Sequence, residues 1–130
     1  MGSEFTFYDY IDVDAGGANV IKSWLNSDGK AAKAHFTMVI GYLEGSLPAN
    51  WPIKYVKPMK REWNGFRELR KTGSVQYRLI GKIVGRTVFL VACGIHKDQY
   101  FTTDVTSQTA SSRVAKMMGD ARYRREHEYN

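Results

Sequence analysis

Six consecutive apolar residues, Val88-Phe89-Leu90-Val91-Ala92-Cys93, set the strongest constraint on how this chain can fold. A strand that is apolar at every position presents hydrophobic surface on both faces, so it belongs inside a sheet with layers packed above and below. The preceding residues supply its partners. Phe66 to Lys71, Val75 to Val84 and Arg86 to His96 read as three strands, separated by Thr72-Gly73-Ser74 and by a turn at Gly85. Connections this short join antiparallel neighbours.

Helical spacing governs much of the rest. Phe7 to Ile11 is short and aromatic, and reads as a first strand or an extended arm. Val20, Ile21, Trp24 and Leu25 predict a short helix. Ala32, Phe36, Val39, Ile40 and Leu43 form one apolar stripe on a second helix, with Ser27 or Asp28 expected to cap it and Gly45 and Pro48 to stop it. Val105, Ala110, Val114, Met117 and Met118 predict a third helix, with Asp104 as cap. Arg122 to Asn130 reads as a charged tail that frays. The order predicts an α+β domain: two N-terminal helices, an antiparallel three- to four-stranded twisted sheet and a C-terminal helix. A chain of 130 residues is the size of one domain, taken as residues 6–130. Met1-Gly2-Ser3-Glu4-Phe5 reads like the translation of adjacent cloning sites and is set aside as a scar.

The net charge of +6 is unevenly spread. Residues 1–50 carry three Lys against six acids, and residues 98–130 carry five charges of each sign. Residues 51–97 carry six Lys and five Arg against only Glu62 and Glu68, a net +9. Like charges in one block repel, so this density implies an anionic partner, and phosphate is the commonest.

Other classes of function lack their signatures. No apolar run approaches the length of a membrane span, and no basic and apolar leader opens the chain, so a cytoplasmic protein without a membrane partner is expected. Cys93 is the single cysteine, so no internal disulfide can form, and its apolar neighbours predict a buried thiol. No phosphate-binding loop, dinucleotide glycine pattern, nucleophile elbow or metal-ligand spacing is present, so neither metal nor cofactor is expected. His35 reads as a packing residue on the second helix, and His127 receives no role.

What remains is Arg, Lys and aromatic residues on strands. Alternation places Arg67 and Leu69 on one face and Phe66, Glu68 and Arg70 on the other. Gln76, Arg78 and Ile80 share a face of the next strand, so Arg70 and Arg78 converge if the register permits. Each arginine alone is better explained by solvation or a surface ion pair, such as Arg70 with Glu68. The block as a whole is not, because two acids cannot neutralise eleven cations.

Gly65-Phe66-Arg67-Glu68-Leu69-Arg70, then Tyr77-Arg78, then Gly94-Ile95-His96-Lys97, then a helix containing Ala110, resembles the phage-derived HigB-like branch of the RelE/ParE toxin superfamily. The resemblance spans roughly residues 21–117 and rests on order and spacing, since each motif is short. Asp98 stands where the family usually has a second Lys, and Thr102-Thr103-Asp104 lacks the usual proline. The resemblance implies a RelE-like fold and the toxin of a type II toxin–antitoxin pair. Such a protein enters the ribosome and cuts mRNA by attack of a 2′-OH on the adjacent phosphate, without metal. On this resemblance Arg78 stabilises phosphoryl oxygens, Arg70 binds phosphate or assists proton transfer, and His96 and Lys97 supply the opposite acid–base side. Lys54, Lys57, Lys60, Arg61, Arg67 and Lys71 grip RNA, and Tyr100 stacks on a base. The implied partners are mRNA, the ribosome and a cognate antitoxin of helix-turn-helix type. Two alternatives stay open: a superfamily member that inhibits a protein target such as DNA gyrase, and a noncatalytic nucleic-acid-binding protein of phage origin.

Overall fold

The computed structural model describes residues 5–97 and 100–128, and the side chains of all of these except Lys97, Tyr100 and Phe101. The described residues form strands β1 (Thr6–Asp12), β2 (Ala18–Asn19), β3 (Val56–Pro58), β4 (Arg67–Lys71), β5 (Gln76–Val84), β6 (Thr87–Lys97), β7 (Tyr100–Thr103) and β8 (Arg124–Glu126). The helices are α1 (Val20–Leu25), α2 (Lys33–Glu44) and α3 (Ser107–Gly119).

All eight strands join one sheet in the order β2-β1-β6-β5-β4-β3, with β7 also pairing β6 and β8 also pairing β1. The expected architecture is therefore overturned. The sheet has eight strands rather than three or four, and it is mixed, because β1 runs parallel to β6 with Phe7 opposite Val88 and Asp9 opposite Leu90. The other pairings are antiparallel. The apolar run explains the change. Val88 to Cys93 is buried throughout, and a hairpin with β5 satisfies only one edge of β6. β1, which precedes the helices in sequence, closes half of the other edge, and β7 closes the rest.

The sheet separates two cores. On one face α1 and α2 pack Ile21, Leu25, Phe36, Val39, Ile40 and Leu43 over Phe7, Leu69, Leu79, Leu90 and Cys93. On the other, α3 packs Ala110, Val114 and Met117 over Tyr10, Ile80, Val91 and Ala92, with Trp63 and Phe66 extending that core across β4. The stripe Ala32, Phe36, Val39, Ile40 and Leu43 is wholly buried, as its spacing predicts. Between Ile80 and Gly81 the β5–β6 register shifts, and Val91 is the extra residue on β6. This bulge lets Val91 and Ala92 both face α3. Gly81 sits where the strands crowd: a Cβ there would lie 3.0 Å from the Phe89 carbonyl oxygen.

Several local expectations also change. The α2 N-cap is Ala32, without a side-chain cap bond, because a 3-10 turn at Lys30–Ala32 leads into the helix. α3 is capped by Thr106, whose hydroxyl accepts from Thr109 N. Asp104 is used elsewhere, accepting from the backbone amide of Cys93 at 3.0 Å. Phe5, set aside with the four residues before it, is buried, with its ring 5.4 Å from Trp51. The charged tail forms β8, and His127 just after it is buried against Asp9 at 2.8 Å. No helix among the described residues is long and apolar enough to cross a membrane.

Candidate nucleic-acid interface

The β4–β5 register places Arg70 directly opposite Arg78 and Glu68 opposite Ile80. Because strand side chains alternate, Glu68, Arg70, Gln76 and Arg78 all rise from the face that carries α3. His96, opposite Gln76 on β6, rises from the same face. The convergence that alternation made conditional on register is thus present in the structure.

Depth separates these residues. Arg78 is 1% exposed, the largest fully buried side chain described. Its Nη1 donates to the carbonyls of Tyr77 at 3.0 Å and Lys71 at 3.3 Å, and its Nη2 donates to Gln76 Oε1. Burial lowers its pKa below the usual guanidinium value; Glu68 opposes that shift and Arg70 adds to it. Both Nη groups are therefore spent on the fold, and Nε is the part of the guanidinium left over. Arg70 is half-buried, and Glu68 lies between the two arginines. One Glu68 carboxylate oxygen is 3.6 Å from Arg70 Nε and the other 3.7 Å from Arg78 Nε. Both distances exceed hydrogen-bond range, and both Nε atoms are buried without a hydrogen-bond partner.

Beside this triad the sheet face opens. α3 packs on β6, and β3 forms the sheet edge three strands away. A cleft of about 230 Å³ remains at that corner, lined by Lys57, Pro58, Met59, Lys60 and Glu68. Lys57 is the register partner of Glu68 on the edge strand β3 and is exposed. On β5, Lys82 holds its amine 5.5 Å from the Phe66 ring centre. Lys57 and Pro58 also keep the sheet edge from pairing with another strand, a structural use that needs no ligand.

The other predicted contacts scatter. Arg67 and Lys71 alternate onto the α2 face, where the Arg67 guanidinium lies 5.8 Å from the Trp51 ring. The Lys54 amine lies 5.0 Å from the Tyr55 ring. Arg61 is exposed in a left-handed backbone conformation with φ of 58°, in the turn that carries Trp63 into the core. Lys97 pairs with Tyr100 at the end of the β6–β7 hairpin, and Asp98 lies outside the described residues. The eleven cations therefore do not form one patch. The structure gathers Lys57, Lys60 and Arg70 around Glu68, with Arg78 behind them.

Three features escaped the sequence. Glu68 was read as a surface partner of Arg70, yet it faces two arginines. Gln76 was placed on the right face without a role, and it orients Arg78. Asp9 and His127 form a buried pair across 118 residues of sequence, which no local pattern signals. Other candidate groups are structural. His35 Nε2 is 2.7 Å from the Arg70 carbonyl oxygen, between the rings of Phe36 and Tyr55. Burial, with Asp104 nearby, pushes the Cys93 thiol well up, so it is a poor nucleophile. No group of three or more His, Cys, Asp or Glu among the described residues is placed to hold a metal. Comparison with known protein-family models, curated proteins and solved structures finds no match.

Proposed function

We propose that this protein binds nucleic-acid phosphates, RNA in the first instance, at the corner of the sheet where β3 and β4 meet. The observation that supports this reading most is the cleft in which Lys57 and Lys60 stand beside Glu68, itself 3.6 Å from Arg70 Nε, inside a segment of net charge +9. Two exposed ammonium groups bind phosphate by charge and counterion release. A half-buried guanidinium adds directional N–H groups at lower hydration cost.

A second reading, the ribosome-dependent mRNA endoribonuclease of a type II toxin–antitoxin pair, draws support from Arg70, Arg78 and His96 rising from one sheet face. In that reading Arg70 and His96 touch the reacting phosphate and 2′-OH, and Arg78 positions Arg70 from beneath. An antitoxin covers the cationic corner.

Labelled single-stranded RNA, titrated at several salt concentrations, tests both. Lys57→Ala with Lys60→Ala weakens binding about tenfold or more and flattens the log–log salt slope by about 1 to 2. Unchanged affinity and slope would overturn the binding reading. The recovered RNA, incubated with and without ribosomes, tests the second. Cuts that vanish in Arg70→Ala and His96→Ala support cleavage, and intact RNA throughout rejects it.

A further inference from the structure

We propose that Glu68 is the resident occupant of a built anion site, and that a phosphate group displaces its carboxylate. The proposal rests on the phosphate-binding reading above and assigns that site its regulation.

Two guanidinium N–H groups, Arg70 Nε and Arg78 Nε, are buried and make no hydrogen bond, although a carboxylate stands 3.6 and 3.7 Å away. A carboxylate serving only as a counterion for buried arginines would close to about 2.8 Å and satisfy both donors, because a buried unbonded N–H costs about 1 to 3 kcal/mol. Here it does not close. Arg78 is anchored from the other side, by two backbone carbonyls and Gln76, and cannot follow Glu68. The fold therefore sets two N–H donors, that of Arg78 held from behind, against a loosely seated carboxylate that also lines the lysine cleft.

A phosphate oxygen entering from that cleft finds a more complete set of partners than Glu68 does. It accepts from Arg70 Nε and Arg78 Nε, and its remaining oxygens face Lys57 and Lys60. The displaced carboxylate has its own destination, since Lys57 is its register partner on β3. Glu68 thereby stabilises the buried arginines in the free protein and raises the threshold for stray anions. A single phosphate competes poorly, whereas a polyanion that also engages the lysines competes well.

The test measures single-stranded RNA affinity in Glu68→Gln and Glu68→Asp, with Glu62→Gln as a control for charge alone. Glu62 is exposed and outside the triad. Glu68→Gln is expected to bind about fivefold to tenfold tighter than wild type, Glu68→Asp by an intermediate factor, and Glu62→Gln within about twofold. Adding Arg70→Gln to Glu68→Gln abolishes the gain. Equal effects of Glu68→Gln and Glu62→Gln overturn the proposal while leaving the binding reading intact if the lysine variants still weaken binding. Should Glu68→Gln fold poorly, the wild-type protein decides. Nitrogen-15 resonances of Arg70 Nε and Arg78 Nε shift on addition of RNA or inorganic pyrophosphate, and unmoved resonances overturn the proposal.

Discussion

Arg78 shows how far strand alternation carries an argument about one residue, and where it ends. Alternation assigns a face, and Arg78 does lie on the face shared with Gln76 and Ile80. It says nothing about depth, which depends on what other segments lay over that face. A residue read as a phosphate ligand is therefore also a strut, whose Nη1 ties the end of β4 to β5. Truncating it leaves Glu68 and Gln76 facing an apolar gap, so Arg78→Ala is expected to cost about 3 kcal/mol. A lowered urea midpoint with an unchanged slope would show this, and a variant as stable as wild type would not. Arg70 differs because its side chain is 22% exposed. Its loss should reduce RNA affinity more than stability.

At the scale of elements, the most legible piece is α2, where five apolar residues at helical spacing predict the buried stripe. The least legible is β8. Arg124-Arg125-Glu126 carries no apolar period, and its placement depends on one residue beyond it. His127 donates its backbone amide to the Phe7 carbonyl at 2.8 Å, and its Nδ1 meets Asp9 Oδ1 at 2.8 Å. Asp9 Oδ2 accepts from Asn19 Nδ2 at 3.0 Å, so one carboxylate joins β8 to the start of α1 through β1. Asp9→Ala removes the buried carboxylate that both His127 Nδ1 and Asn19 Nδ2 meet and is expected to cost about 3 kcal/mol. Hydrogen exchange should show β8 amides opening before those of β5 and β6, and uniform protection would count against this clamp.

For the whole molecule, the strands Phe66 to Lys71, Val75 to Val84 and Arg86 to His96 are legible, and the sheet they belong to is not. Hairpin signals are local, whereas the β1–β6 pairing joins residues about eighty positions apart and leaves no periodic trace. The resemblance reinforced the smaller antiparallel sheet for the same reason, because its motifs lie within the hairpins and are silent about β1. Global stability against pH carries a further signature of this assembly. Burial raises the pKa of Glu44 at the end of α2, Glu126 of β8 adds to the shift, and His127 and the Phe7 amide oppose it. A carboxyl with a raised folded-state pKa contributes stability in full below its unfolded value, about 4.3, and loses it as pH rises through the raised value. Glu44→Gln should therefore melt above wild type near neutral pH, and the gap should close near about pH 4. A gap independent of pH would assign the effect to packing instead.

The parallel strand also imposes a schedule on synthesis. β1 is made before its neighbour β6, which is completed only after β3, β4 and β5, and Asp9 waits 118 residues for His127. Until then β1 is an aromatic ribbon with open edges, the kind of segment that recruits strands from other chains. The nascent protein is thus most prone to aggregate during the interval between the synthesis of β1 and that of β8.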